Sequence, residues 1–490
     1  MTIAFDASLL GAAIDEVRHG RRAAISTRTG RSTRRTGLFG AYRPRKLIER
    51  ANGAGRIALF LSHQTEGKEN MSTNAEAKND DQELMFRHTA GQANRFSTYF
   101  DAPFTRVLGR GNYGGSAVGE CYETASRIVD NDYESYTTAW EVTAKRVEAI
   151  ARDCLAKGHA VSAREALMRA VTYWGATTMF LAPGDPRQRT SYEKERDCFR
   201  QAAKLFDPPI EVVDIPYENG ATLPGYFIPG GPKGEKRPTV LVIGGGDSAL
   251  EELYGVVPVG AQRRGYNVLM FEIPGQKAMF FDHPELFFRH DTEVPIGHAV
   301  DYVTSRPEVD AGRIALVGAS FGGYFAPRAA VFDKRLAAVI ALPLFFDIGA
   351  MFVELLGLDP TKPYPRDLES RLDMSQSFVR ALTQSDLRMR SGYANATIAE
   401  WLDGMQEFTL AGHEKDLTCP LLIIAGESEF DPARMAKEKL VWDKVMNHPK
   451  SEVRIGTASE GGEGHSMVNN LLLKNQIEFD WLDDVLNWKS

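Results

Sequence analysis

Apolar positions along the chain follow two regimes that meet near residue 208. Between 83 and 208 they recur at helical spacing. The stretch 136–157 (YTTAWEVTAKRVEAIARDCLAK) carries one apolar stripe and stops before Gly158, which predicts a long helix closed by a glycine. Ser162, with Glu165 three positions on, reads as a capping box opening the next helix, whose apolar face runs through Ala166, Leu167, Ala170 and Trp174. From Ile210 the spacing changes to period two and to short continuous apolar runs. Segments 211–217 and 223–228 flank Asn219-Gly220, a dipeptide suited to the positive φ values of a hairpin turn. Further runs at 239–243 (TVLVI), 266–273 (YNVLMFEI), 313–317 (RIALV), 336–342 (LAAVIAL), 421–425 (LLIIA) and 452–455 alternate with helical stretches. Continuous apolar strands interleaved with helices predict an α/β fold whose mostly parallel sheet is covered on both faces.

Between the runs at 336–342 and 421–425 lies a long insertion rich in Leu, Met, Phe and acidic residues. Helical spacing predicts a helix over 367–388, after prolines at Pro360, Pro363 and Pro365. The organisation read from these patterns has three parts. Residues 1–81 form a disordered extension, and 82–208 a helical N-terminal segment placed to cap a site. Residues 209–490 form the α/β domain, with a helical insertion at about 348–415.

Composition narrows the classes. The 490 residues are 43% apolar and 25% charged with a formal net charge of −7, ordinary for a globular protein and contrary to the basic footprint of a nucleic-acid binder. No apolar run reaches the ~18–20 residues of a membrane-spanning helix. Cys121, Cys154, Cys198 and Cys419 are scattered without a Cys-x-x-Cys pair, which predicts reduced thiols and a cytoplasmic setting. The segment 18–50 is Arg-rich and poor in acids, and a polar stretch (STNAEAKNDDQE) follows Met71. It reads as a non-catalytic extension, with an organellar transit peptide and a start at Met71 as the alternatives.

The chemistry is concentrated at Gly318-Ala319-Ser320-Phe321-Gly322, directly after a buried strand. Glycines two positions either side of a serine permit the tight strand-to-helix turn that lifts a hydroxyl above the sheet as a nucleophile. Attack on a carbonyl then needs donors for the oxyanion. The Phe321 N–H is one, and Gly245 and Gly246 in the loop Gly244-Gly245-Gly246 after the strand 239–243 supply the other. A phosphate-cradling role for these glycines would require a following Lys-Ser/Thr pair, which is absent. The base should be a histidine C-terminal to the acid. Of His413, His448 and His465, only His465 sits in a glycine-rich loop beyond the last strand. For the acid, the loop Gly426-Glu427-Ser428-Glu429-Phe430-Asp431-Pro432 offers Asp431 as first choice and Glu429 as second. Asp347, one strand earlier, is third.

The helical N-terminal segment, the loop Gly-Gly-Gly-Asp-Ser-x-x-Glu-Glu at 244–252, the turn Ile273-Pro274-Gly275-Gln276 and the Val-Gly-Ala-Ser-Phe-Gly-Gly elbow together resemble the FrsA-like α/β-hydrolases. That group includes 2,6-dihydroxypseudooxynicotine hydrolase and fungal pigment-pathway polyketide-shortening hydrolases. The resemblance covers about 136–486. It implies cleavage of a carbon–carbon bond next to a ketone, or of an ester, in a small aromatic or polyketide-like compound, without metal or organic cofactor. It matches Ser320 and His465 to the family's nucleophile and base, and it puts Glu429 where the family's Gly-x-x-Asp carries its aspartate. The expected partner is a small-molecule carbonyl substrate, with a homodimer as the candidate assembly. Two other classes share the fold: an acylaminoacyl- or dipeptidyl-type serine peptidase, and a binding protein that kept the hydrolase scaffold.

Overall fold

The computed structural model describes residues 95–489 except 97–98, 248, 374–378, 380–381, 384–385 and 431; the predicted extension 1–81 lies outside the described residues. Among the described residues, five α-helices precede the first strand: α1 (Asp101–Gly109), α2 (Val118–Ala125), α3 (Tyr133–Ala156), α4 (Ala160–Thr177) and α5 (Pro186–Ala203). Asp132 caps α3, its carboxylate accepting the N–H groups of Glu134 and Ser135 at 3.1 and 3.2 Å. The end of α3 is as expected, at a left-handed Gly158 (φ 76°). The start of α4 is not. It opens at Ala160 behind an uncapping His159, with Ser162 already inside the first turn. The His159 N–H folds back onto the Cys154 carbonyl (2.9 Å), so the glycine turn that closes α3 launches α4 at once and no serine cap is needed.

Eight strands form one sheet in the order β1-β2-β4-β3-β5-β6-β7-β8. They are β1 (Glu211–Pro216), β2 (Thr222–Ile228), β3 (Arg237–Ile243), β4 (Asn267–Phe271), β5 (Val309–Ala319), β6 (Leu336–Leu342), β7 (Leu421–Gly426) and β8 (Glu452–Gly456). β1 and β2 pair antiparallel across the predicted turn, where Asn219 and Gly220 both take positive φ (56° and 81°). β2 is antiparallel to β4, and the remaining pairs are parallel. Alternate residues of the central strands feed two separate cores. Val240, Val242, Val317 and Ile340 pack toward α3–α5 and the C-terminal helix Leu471–Leu486. Leu241, Ile243, Leu316 and Val339 pack toward the helices Glu293–Thr304 and Gly322–Phe332 and the insertion. A strand buried on both faces must be apolar throughout, which is why these runs are continuous.

The described ends of the 367–388 segment are not one continuous helix: they form a 3₁₀ turn at Leu368–Ser370 and a four-residue helix Leu387–Arg390, while much of the stretch between lies outside the described residues. A better-defined helix, Ile398–Met405, follows. That last helix is opened by a Thr397/Glu400 capping box. Among the described residues no helix is long and apolar enough to cross a membrane, and the four cysteines are free thiols.

Candidate active site

β5 ends at Ala319, and Ser320 takes φ 55° before the helix Gly322–Phe332 begins. A non-glycine residue in the left-handed region is strained by about 1–3 kcal/mol, and here the packing enforces it. A Cβ at Gly318 would lie 1.8 Å from the Gly322 carbonyl oxygen, so only glycine lets the strand fold back on the helix start. The Ser320 N–H donates to the Leu342 carbonyl at the end of β6 (2.7 Å). The Phe321 N–H stands at the helix N-terminus, where the first amides have no partner within the helix.

The loop after β3 approaches the serine closely: a Cβ at Gly245 would sit 2.5 Å from the Ser320 Cβ and 2.9 Å from its Oγ. Two side chains hold this loop, and the sequence reading gave neither a role. Gln276, 1% exposed, donates through Nε2 to the carbonyls of Gly244 (2.9 Å) and Gly245 (3.2 Å) and accepts the Ile273 N–H on Oε1 (2.9 Å). These bonds fix the carbonyls of the glycine loop beside the serine. Arg390, from the insertion, donates to the carbonyls of Gly246 and Gly275 and pairs with Asp386 (2.9 Å). Gln276 had a signal, the Ile-Pro-Gly-Gln turn. Arg390 had none, lying in an irregular segment far along the chain.

His465 lies in the loop after β8. Its Nδ1 is 2.6 Å from Glu429 Oε2. The other carboxylate oxygen accepts the N–H groups of Gly426 (2.8 Å) and Ser466 (3.0 Å), so both oxygens of a side chain only 5% exposed are satisfied. Ser466 and Met467 follow in left-handed conformations (φ 53° and 49°), and the Ser466 hydroxyl donates to the same Leu342 carbonyl that holds Ser320 (2.6 Å). Burial disfavours the imidazolium, but the Glu429 carboxylate, helped by Asp247, outweighs it and raises the His465 pKa above its ordinary value. With Nδ1 committed to the carboxylate, Nε2 is the ring's open nitrogen, and 36% of the side chain stays exposed.

Asp431, the sequence's first choice of acid, lies outside the described residues; the carboxylate the fold brings to His465 is that of Glu429. Asp347 is accounted for differently: it caps the helix Ile348–Leu355, accepting the Ala350 N–H at 2.7 Å. His413 pairs with Asp416 at the surface (3.1 Å), and His448 Nδ1 accepts the Lys450 N–H (3.1 Å).

Ser320, Phe321, Gly245, Gly246, Glu429 and His465 line one cavity of about 310 Å³. The insertion contributes Met351, Phe352 and Leu387 to its wall, and the helical N-terminal region contributes Tyr99, Arg106 and Arg110. The 244–252 signature ties the two sides together. Arg106 of α1 bonds Asp247 (2.7 Å) and Glu252 (2.8 Å), while Glu251 accepts the Tyr226 hydroxyl (2.7 Å). Burial raises the Asp247 pKa, yet the Arg106 guanidinium outweighs it and holds the carboxyl at about 2. Among the described residues no three His, Cys, Asp or Glu side chains are grouped as a metal ion requires.

A buried acid lies close behind this wall. Burial, with the neighbouring Glu251, pushes Glu272 up to about 8. The unfolded chain releases this proton near pH 4.5 and the folded protein near 8, so stability falls as pH rises through that window. Melting temperature measured from pH 5 to 9 is expected to decline, and Glu272→Gln, which keeps an acceptor for the Ala278 N–H, to flatten part of the decline. An identical slope in the variant would refute this assignment.

Comparison with known proteins agrees with the geometry. Residues 132–392 match the family described as esterase FrsA-like. The chain is 32% identical to hydrolase ORFZ of Pyricularia oryzae, covering 79% of this chain and 96% of that protein. It is 31% identical, with the same coverage, to 20-hydroxy-prefusarin hydrolase FUS2 of Gibberella moniliformis. The crystal structure of 2,6-dihydroxy-pseudo-oxynicotine hydrolase shares the fold, with a TM-score of 0.56 at 22% identity over 78% of this chain and 97% of that one. The chain therefore belongs to the FrsA-like family of α/β-hydrolases.

Proposed function

We propose that this hydrolase works by covalent catalysis, with Ser320 as nucleophile, His465 as general base and then acid, and Glu429 as the carboxylate that orients the imidazole. The observation that carries this reading is a strained Ser320 sharing a cavity with a histidine whose Nδ1 is fixed by a fully satisfied carboxylate. Nε2 takes the serine proton as Oγ adds to the substrate carbonyl. The oxyanion is met by the Phe321 N–H and by N–H groups of Gly245 and Gly246. Collapse of the tetrahedral adduct expels either an alkoxide from an ester or a carbanion stabilised as the enolate of an adjacent ketone. His465 returns the proton to that leaving group, and water then hydrolyses the acyl-serine by the same route. Most of the wall is apolar, which suits a small aromatic or polyketide-like compound, and the relative named for 20-hydroxy-prefusarin supports that class.

A fluorophosphonate probe tests the reading. One equivalent of adduct on Ser320, abolished in Ser320→Ala and strongly slowed in a His465 variant, is expected. An unlabelled wild-type protein would overturn the assignment. Gln276 serves as a positioning residue in this scheme. Gln276→Leu and the near-isosteric Gln276→Glu, which cannot donate to the glycine carbonyls, are expected to lower kcat by roughly 10²–10³-fold, comparable to loss of one oxyanion donor, with little change in KM. A change confined to KM would contradict that role.

A further inference from the structure

The cavity wall built by the helical N-terminal region carries a buried cation that, among the described residues, no carboxylate pairs with. Tyr99, Ala102, Pro103, Arg106 and Arg110 line the cavity from α1 and the turn after it, at helical spacing. Arg106 is fully engaged by Asp247 and Glu252. Arg110 is 3% exposed, and among the described residues its Nε and Nη1 have no hydrogen-bond partner. Lys277, 6% exposed and on the same cavity, donates to the Thr178 hydroxyl (2.7 Å). Among the described residues neither cation has a carboxylate within ion-pair distance, whereas Arg390, Arg434 and His465 on the other walls all do. Glu195, another acid nearby, is completely buried with neither oxygen hydrogen-bonded; burial raises its pKa well above the ordinary carboxylate value. Burial pushes the Arg110 guanidinium down to about 10, which leaves it charged at neutral pH.

A buried, unpaired guanidinium is costly to keep, and a group aimed into a substrate cavity is satisfied by what binds there. We infer that Arg110, supported by Lys277, is an anion-recognition site for the substrate, whose carbonyl compound carries an anionic oxygen group, a carboxylate or an ionised enol, on the side away from the insertion. An arginine can donate N–H groups to both oxygens of a carboxylate, or to the single charged oxygen of an enol. The inference rests on the cavity being the substrate site of the proposed serine hydrolase.

Two 4-nitrophenyl esters test it: 4-nitrophenyl hydrogen glutarate, which ends in a carboxylate, and the neutral 4-nitrophenyl pentanoate. The wild-type protein is expected to favour the anionic ester, mainly through KM, and Arg110→Met to shrink that preference by roughly 10- to 100-fold, the worth of a hydrogen bond to a charged group. Arg110→Lys keeps the charge and should retain part of the preference; Lys277→Met should lose part of it. No preference in the wild type, or the same preference in Arg110→Met and Lys277→Met, overturns the proposal. Calorimetric binding of glutarate and of ionised dimedone to Ser320→Ala reads the site independently of turnover. Binding of either that is lost with Arg110→Met supports it, and which one binds separates carboxylate from enol; failure of both to bind overturns it. If neither ester is cleaved and Ser320 resists fluorophosphonate while glutarate or dimedone still binds through Arg110, the serine-hydrolase reading fails and the anion site stands.

Discussion

Ser320→Ala is expected to lower kcat on the order of 10⁵-fold while leaving the melting temperature within a degree or two of wild type. The size follows from the way such groups work together: once the nucleophile is gone, base and acid have nothing to activate, and only binding and oxyanion stabilisation remain. The fold should hold because the strain belongs to the turn and not to the hydroxyl. Gly318 packs against the Gly322 carbonyl and the Ser320 N–H is tied to Leu342, and both persist in alanine. Steady-state kinetics on any turned-over ester, alongside a thermal melt, checks both halves. Retention of a tenth of the wild-type rate would remove Ser320 from the mechanism.

Glu429→Gln should be almost as severe, on the order of 10⁴-fold in kcat, as found when a triad carboxylate is replaced by its amide. The amide oxygen can still accept the Gly426 and Ser466 N–H groups, so the loop is expected to stay in place. The amide nitrogen then faces Nδ1 and forces the proton onto Nε2, which cannot act as a base. A pH profile adds a second reading. Glu429 favours the imidazolium, so the limb where kcat/KM rises with pH lies above the ordinary histidine value in the wild type. In the variant it should move down. Asp347→Asn should leave kcat nearly unchanged and cost at most about 1 kcal/mol of stability through its helix cap. A mild Glu429→Gln beside a severe Asp347→Asn or Asp431→Asn would move the acid elsewhere.

Much of this architecture is written locally. The central strands β3–β7 show as apolar runs because they are buried on both faces, and the Asn219-Gly220 turn shows because its φ values demand those residues. Ser320 and His465, the proposed nucleophile and base, stood out because each sits in a glycine pattern at a strand end. The proposed acid was harder. Counting from Gly426 leads to Glu429, but an aspartate two positions later carried the more usual residue type. Side-chain identity is a poor guide where one extra methylene lets a glutamate reach two amides and an imidazole together. Arg390 and Arg110 were invisible. Their significance lies in partners more than a hundred residues away, or in having none, and neither leaves a periodic trace. The 367–388 segment is only partly described: its ends form a 3₁₀ turn and a four-residue helix, Leu368–Ser370 and Leu387–Arg390.

One backbone oxygen serves both halves of the proposed machinery. The Leu342 carbonyl, at the tip of β6, accepts the Ser320 N–H and the Ser466 hydroxyl, so the hydroxyl-bearing turn and the imidazole-bearing loop are registered to a common datum instead of to each other. When the sheet breathes, the two move together and their relative error stays small, as with two instruments bolted to one post. The same economy concentrates vulnerability: a disturbance at the end of β6, remote in sequence from both groups and more than a hundred residues from the histidine loop, would misalign the proposed nucleophile and base in a single step.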